Sequence, residues 1–346
     1  MSRYPELDLR RVRSHSMKER RSLVAAPAFY RPPAGSSSFR SFWDSLPEIL
    51  GAADLKAVAR AMLASREKGR PVIALCGAHV LKTGLGPGLI RLIERGILTG
   101  VATHGAGAIH DAELGLWGRT SEDVAAGLHR GRFGMVRETA DFVNAAARQA
   151  CERGEGMGEA LGRALLSADR GTRRRSVLAA AYAAGAPATV HVAIGTDVVH
   201  QHPSFDGAAA GESSARDFRI LAAQLFRIPG GTVLNLGSAV LLPEVFLKAF
   251  SVARNLGGSA RGMTTATFDF MKQYRAMENV VRRPTLGVGR GYYLVGHHEI
   301  LLPLLFHACL TGAGRASGSR RPARDKPLKG KTVTADRTRD KGDRRL

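Results

Sequence analysis

The chain has no run of about 20 apolar residues, which excludes a membrane-spanning helix. It does not open with the basic, apolar and small-residue regions of a secretory signal. Cysteine is scarce: Cys76, Cys151 and Cys309 are odd in number, far apart and form no CxxC. That excludes a disulfide framework or a cysteine-rich zinc site and points to a reducing, cytoplasmic setting. No GxGxxG occurs, so the ordinary dehydrogenase fingerprint is absent. Acidic residues are few, 30 against 51 Lys and Arg, for a formal charge of +21. The excess sits at the ends: residues 1–40 carry net +6, residues 315–346 net +8, and residues 41–314 only +7. From Gly312 onward the only large apolar side chains are Leu328, Val333 and Leu346. Too little can be buried to offset ordering entropy, so residues 313–346 are expected to be a disordered basic tail. Such a tail, like the basic arm over residues 1–40, is either a solubilising extension or a weak, salt-dependent contact for polyanions.

What is present begins with alternating strand and helix signals. Val72–Cys76 is a short apolar run ended by Gly77-Ala78-His79, and Leu98–Thr103 is another, ended by His104-Gly105-Ala106-Gly107. Between them Pro87 opens a helix with a Leu89, Leu92, Ile93 stripe. This is a βαβ unit with both Gly-rich loops at the carboxyl edge, where open α/β sheets bind ligands. Asp54 is expected to cap a helix with Leu55, Val58, Ala59, Met62 and Leu63 on one face. Thr120 and Asp123 stand at capping-box spacing before another, and residues 136–184 suggest successive helices. Strands are expected at Ala188–Ile194, Thr232–Leu236, Thr264–Phe268 and Tyr292–Val295. Helices are expected at Ser213–Phe226, Pro243–Arg254 and Glu299–Leu310. The alternation predicts a Rossmann-like α/β domain over residues 41–312, with a mostly parallel sheet covered on both faces.

From Pro71 to Leu310 the residues resemble deoxyhypusine synthase. Gly77-Ala78-His79 and Thr83-Gly84 stand where that family has TSNxxSSG. Thr103-His104-Gly105-Ala106-Gly107 with His110-Asp111 stand where it has TTAGGxEED. Ala193–Asp197 is similar to PALTDG, Leu236–Val240 with Gly237-Ser238 to LGGGV, and Thr265-Ala266 before Asp269 to NTAxEFD. His297-His298 with Pro303-Leu304-Leu305 stands at ADA…PLL. The resemblance implies an NAD-binding fold, a small amine or polyamine substrate, and a homotetramer with active sites at dimer interfaces. It implies that Asp197 faces nicotinamide or amine and that the loop residues just quoted, His297 included, seat the cofactor. The family's WGK lysine, which forms an imine with the transferred aminobutyl group, is missing, and Arg282-Arg283 lie in that region. Arginine cannot become the neutral amine that this chemistry needs. The KHH after the family's glycine turn is Leu242-Pro243-Glu244. Transfer to a protein lysine by the usual route is therefore not expected.

Histidines are concentrated on the same edge. His79, His104, His110, His200, His202, His297 and His298 follow expected strands, while His129, His191 and His307 lie elsewhere. Imidazoles there can do acid–base work near neutral pH, and His110, His202 and His200 are the proton-moving candidates beside Asp197. His200 and His202 with Asp197 and Asp206 also offer N and O ligands to a divalent metal. Lys82 lies in the first loop; Lys248 pairs with Glu244 at i,i+4. Glu212 and Asp217 are expected to be capping charges, and Trp43 and Trp117 packing residues. A catalytically degenerate NAD-binding scaffold is the alternative to an NAD-dependent transferase.

Overall fold

The computed structural model describes residues 26–32 and 35–315, together with residues 10, 12, 13, 15, 16 and 19. A disordered tail is expected from residue 313, but Ala313 and Gly314 are buried and Arg315 pairs with Glu67, so the folded region reaches residue 315. The rest of the tail and much of the N-terminal arm lie outside the described residues.

Helix α1 (Phe39–Ser45) is capped by the Ser38 side chain and buries Trp43. Its Arg40 donates to the carbonyls of Gly312 and Ala313, tying the two ends of the folded region together. Helix α2 (Leu50–Glu67) starts four residues before Asp54, which lies inside it; Ile49 takes the N-cap position without a side-chain bond. Then come β1 (Val72–Cys76), α3 (Ala78–Lys82), α4 (Gly86–Glu94), β2 (Gly100–His104), α5 (Gly105–Trp117) and α6 (Val124–His129). Asp123, not Thr120, caps α6. Helices α7 (Arg137–Arg153), α8 (Met157–Ala168) and α9 (Val177–Ala184) follow, and then β3 (Ala188–His191). This strand stops short of Ile194 because the Val192 amide turns to the Ser214 hydroxyl instead of the ladder.

Helix α10 (Gly207–Phe226) is capped by Asp206, so Glu212 and Asp217 do not open it. Glu212 pairs with Arg216 and Arg219 on the surface, and Asp217 is buried. The remaining elements are β4 (Thr232–Leu236), α11 (Leu241–Asn255), β5 (Thr264–Asp269), α12 (Tyr274–Ala276), a π-helical turn at Met277–Arg282, β6 (Arg290–Val295) and α13 (His298–Thr311).

All six strands are parallel, in the order β3-β2-β1-β4-β5-β6. That is the doubly wound Rossmann order, with its switch point between β1 and β4. Strand alternation divides the core. Val72, Ala74 and Cys76 pack with α2, α4, α5, α9 and α13, while Ile73, Leu75 and Val233 pack with α10 and α11. Each strand from β1 to β4 is fully or nearly buried, which is why the strands read as apolar runs rather than alternations.

Candidate active site

A cavity of about 740 Å³ opens beyond the carboxyl ends of β2 and β3. Its floor is set by two abrupt chain reversals. Helix α5 starts at the residue after β2, and Asp197 ends the loop after β3 just before a 3-10 turn over Val198–Gln201. The two meet at Gly105, where a Cβ would collide with the Asp197 carboxylate. Glycine is thus required there by close approach. Asp197 lines the cavity, is only 5% exposed, and its Oδ2 has no hydrogen-bond partner. Burial raises its pKa to about 6, against the opposing effects of the Ala106 amide and the Thr196 side chain. Behind it, His200 Nδ1 accepts from the amides of Gly195 (3.1 Å) and Asp197 (3.4 Å). Its proton therefore sits on Nε2, 3.8 Å from Asp197 Oδ2. Burial lowers the His200 pKa, and the ring packs 4.6 Å from that of Phe205.

His110 also lines the cavity, one turn into α5. Its Nδ1 lies 2.6 Å from Thr120 Oγ1, which donates to Glu113 Oε2 at 2.5 Å; Thr139 donates to Glu113 Oε1 at 2.9 Å. Burial lowers the His110 pKa, Glu113 raises it and Lys82 lowers it further. Residues 118–136 form a roof over these groups. Gly118 ends α5 in the left-handed conformation, Ser121 has φ 67°, and α6 within the roof buries no residue. The far end of the roof is fastened at Gly134, whose carbonyl accepts from His202 Nε2 (2.8 Å), while its amide donates within the roof to Glu122 Oε1 (2.9 Å). His202 is therefore a clasp for the roof, with one ring nitrogen committed to the backbone. Trp117, expected to be core, is 43% exposed and lines the cavity.

The remaining sequence candidates divide by position. Ala106, His110, Thr196 and Asp197 line the cavity together with Lys82. Gly77 and Gly237 instead face each other at the switch point, where a Cβ on Gly77 would overlap the Gly237 carbonyl. The Ala78 amide donates to His104 Nε2 at 3.4 Å, and His79 packs 5.6 Å from His298. Burial lowers the pKa of both His79 and His104. Thr83 bonds back to the His79 carbonyl, and Thr103 donates to the Cys76 carbonyl while filling the space that Gly107 leaves. Asp111 is buried and accepts from the Ser176 hydroxyl and the amides of Val177 and Leu178. Its carboxylate caps α9 and does not face the cavity. Ser238 caps α11 through the Leu242 amide, Thr265 and Ala266 are buried within β5, and His297 stands exposed at the start of α13. Among the described residues no three His, Cys, Asp or Glu side chains are grouped to hold a metal ion. His200 and His202 turn to different partners, so HxH does not make a ligand pair. Arg282 and Arg283 are held by Glu278. Lys248 pairs with Glu244 as the spacing suggests.

The sequence pattern did not single out Glu113, Thr139 or Glu122, and it read Thr120 only as a helix cap. Glu113 follows His110 by three positions on one helix and was legible as a same-face pair. Thr120 and Thr139 are brought to it by the Gly118 turn and by packing of α7 on α5, which no local signal announces.

No protein-family model matches this chain, and no curated protein matches it in sequence. Solved structures do. AgrE in complex with ornithine and NAD+ is similar at 18% identity and TM-score 0.47, over 74% of this chain and 32% of that one. A LOR/SDH protein from Methanococcus maripaludis S2 is similar at 17% identity and TM-score 0.49, over 81% and 73%. A protein assigned as a deoxyhypusine synthase from Entamoeba histolytica is similar at 11% identity and TM-score 0.47, over 82% and 97%. The chain thus spans about a third of the length of AgrE. The fold assignment rests on the strand order itself.

Proposed function

We propose that the chain is an enzyme that binds a small cationic amine in the cavity beyond β2 and β3 and oxidises it or transfers its aminoalkyl group, with NAD as hydride acceptor. The observation that carries this reading is Asp197, a carboxylate that lines the cavity and whose buried Oδ2, packed against Gly105, has no hydrogen-bond partner. Such an atom is costly unless a donor arrives, and an ammonium is the donor that also matches its charge.

NAD follows from the family resemblance and from the doubly wound sheet, and the wall residues suit it. Lys82 and Arg119 line the cavity, have no ion-pair partner among the described residues, and could hold a pyrophosphate. When bound, NAD supplies a two-electron acceptor for a hydride leaving the carbon next to the amine. The remaining work belongs to the chain. Asp197 pairs with the ammonium and fixes which carbon faces the acceptor. The amine must lose a proton before a C=N bond can form as hydride departs, and His110 takes that proton. The roof excludes water from the iminium that results. The resemblance further leads us to propose a homotetramer.

Thermal unfolding of the full-length protein tests the assignment. A ligand at about 100 times its dissociation constant adds about 2.7 kcal/mol, enough to raise the midpoint by several degrees. NAD, but not ATP, should raise it, and a diamine or polyamine should raise it further. Asp197→Asn should lose the amine response and keep the NAD response. No response to any amine in the wild type overturns the substrate class; no response to NAD, in protein purified free of it, overturns the cofactor.

A further inference from the structure

We infer that Thr120 and Glu113 are positioning residues that lock His110 in the Nδ1–H tautomer, leaving Nε2 as the proton acceptor of the cavity. The inference deepens the proposed function, but the tautomer is a property of the free protein and can be read without a substrate. Threonine has one hydroxyl proton. The Thr120 oxygen lies 2.5 Å from Glu113 Oε2 and 2.6 Å from His110 Nδ1. The Glu113 carboxylate accepts only, and its other oxygen is already occupied by Thr139 at 2.9 Å. The Thr120 proton is therefore committed to Glu113, and its lone pair faces His110. Only an Nδ1–H can complete that contact. The Nε2–H form, which a free histidine side chain favours, would set a lone pair against a lone pair.

The residues come from three places. Helix α5 supplies His110 and Glu113 one turn apart, α7 supplies Thr139, and Thr120 is two residues past the left-handed Gly118. The charged and titratable groups acting on His110 are Glu113, which favours its cation, and Lys82 and His104, which oppose it. Burial opposes the cation as well, so the imidazole is neutral at physiological pH and its Nε2 is a ready base. A base in the wrong tautomer presents a proton where it should accept one.

Two-bond proton–nitrogen NMR spectra of full-length protein with labelled histidine report the tautomer, and a His110→Gln spectrum assigns the resonance. The wild type should show His110 as Nδ1–H, and Thr120→Ser should keep that form. Thr120→Val should shift the population to Nε2–H. Glu113→Gln should do the same, because its amide donates to Thr120 and turns the hydroxyl proton toward His110. With a turned-over amine, Thr120→Val should lower kcat by about 100-fold with KM changed less than about twofold. Unfolding midpoints of Thr120→Val and Glu113→Gln equal to that of the wild type exclude misfolding as the cause. A wild-type Nε2–H signal, or a Thr120→Val spectrum unchanged from wild type, overturns the inference. If no amine is turned over, the substrate reading falls while the spectra still decide the tautomer.

Discussion

Asp111, Asp197 and Asp217, three of the buried aspartates, keep different company, and their partners assign their roles. Asp111 spends both oxygens on the start of α9, a cap and nothing more. Asp217 accepts from the amides of Val190 (2.7 Å) and Gly158 (2.9 Å) with one oxygen. Its other oxygen is unpartnered and packed against Gly156, where a Cβ would collide with it. Asp197 also has an unpartnered oxygen, packed against Gly105, but unlike Asp217 it lines a cavity. Burial raises the pKa of Asp217 to about 7 and of Asp197 to about 6. A folded-state value above the unfolded one of about 3.9 means that protonation favours the native state. That contribution is complete below about pH 4 and is lost as pH rises through about 7 for Asp217 or about 6 for Asp197. Asp217→Asn keeps one oxygen for both amides and removes the charge. It should match the wild type near pH 4 and be more stable near pH 8 by on the order of 2 kcal/mol, measured by urea unfolding. Asp197→Asn should show the same pH pattern and also lose amine binding. A function-bearing residue that costs stability is expected at a site. If Asp197→Asn is less stable than wild type near pH 8, the carboxylate has a structural partner and the substrate assignment weakens.

At the scale of elements, the roof is the part most open to change. Segment 118–136 is fastened at its far end by Gly134, whose carbonyl accepts from His202. Losing the His202 bond should cost about 1 kcal/mol, little for the whole fold but enough to raise roof opening several-fold. Trypsin should cut His202→Ala several-fold faster at Arg119, Arg130 or Arg132, with the unfolding midpoint nearly unchanged. Equal cleavage rates would mean that the roof is held by its apolar contacts instead. The same variant should weaken the Nδ1–H signal of His110, because Thr120 belongs to the roof. None of this was legible in the sequence, although the frame was. Thr232–Leu236 and Val72–Cys76 stand where their apolar runs indicate, because strands buried on both faces admit few other patterns. Ends were less legible: β3 stops at His191 because Ser214, 22 residues away, captures the next amide. Asp197 was legible by its place after a strand. Its partner Gly105 was read as part of a loop that seats the cofactor, whereas here its missing Cβ makes room for the Asp197 carboxylate. His202 looked like a proton carrier only because its carbonyl partner lies 68 residues away. Local pattern shows which edge of the sheet carries chemistry; side-chain pairing across the fold decides which residue does it.

For the whole molecule the open matter is assembly. The carboxyl edge of the sheet carries exposed apolar side chains away from the cavity. They are Val240 after β4, Phe270, Met271 and Tyr274 after β5, Val295 at the end of β6 and Ile300 on α13. Single exposed apolar residues are ordinary, but several gathered on one edge are the composition of an interface. Charge does not oppose association here, since most of the positive excess lies in the terminal segments. The homotetramer that the family resemblance implies would have this edge as a natural contact. Light scattering on the eluting full-length protein should give four chains per particle, and Phe270→Glu with Tyr274→Glu should yield smaller species. Buried acidic residues at an interface core cost several kcal/mol each when unpaired, so the change should be complete at micromolar protein. Asp197 and His110 lie beyond β2 and β3, away from this contact. The dissociated variant should therefore keep NAD and amine binding in thermal unfolding if each chain forms its own site. Loss of both on dissociation would place part of the site in the partner chain. A wild type that elutes as one chain at all concentrations would remove the tetramer.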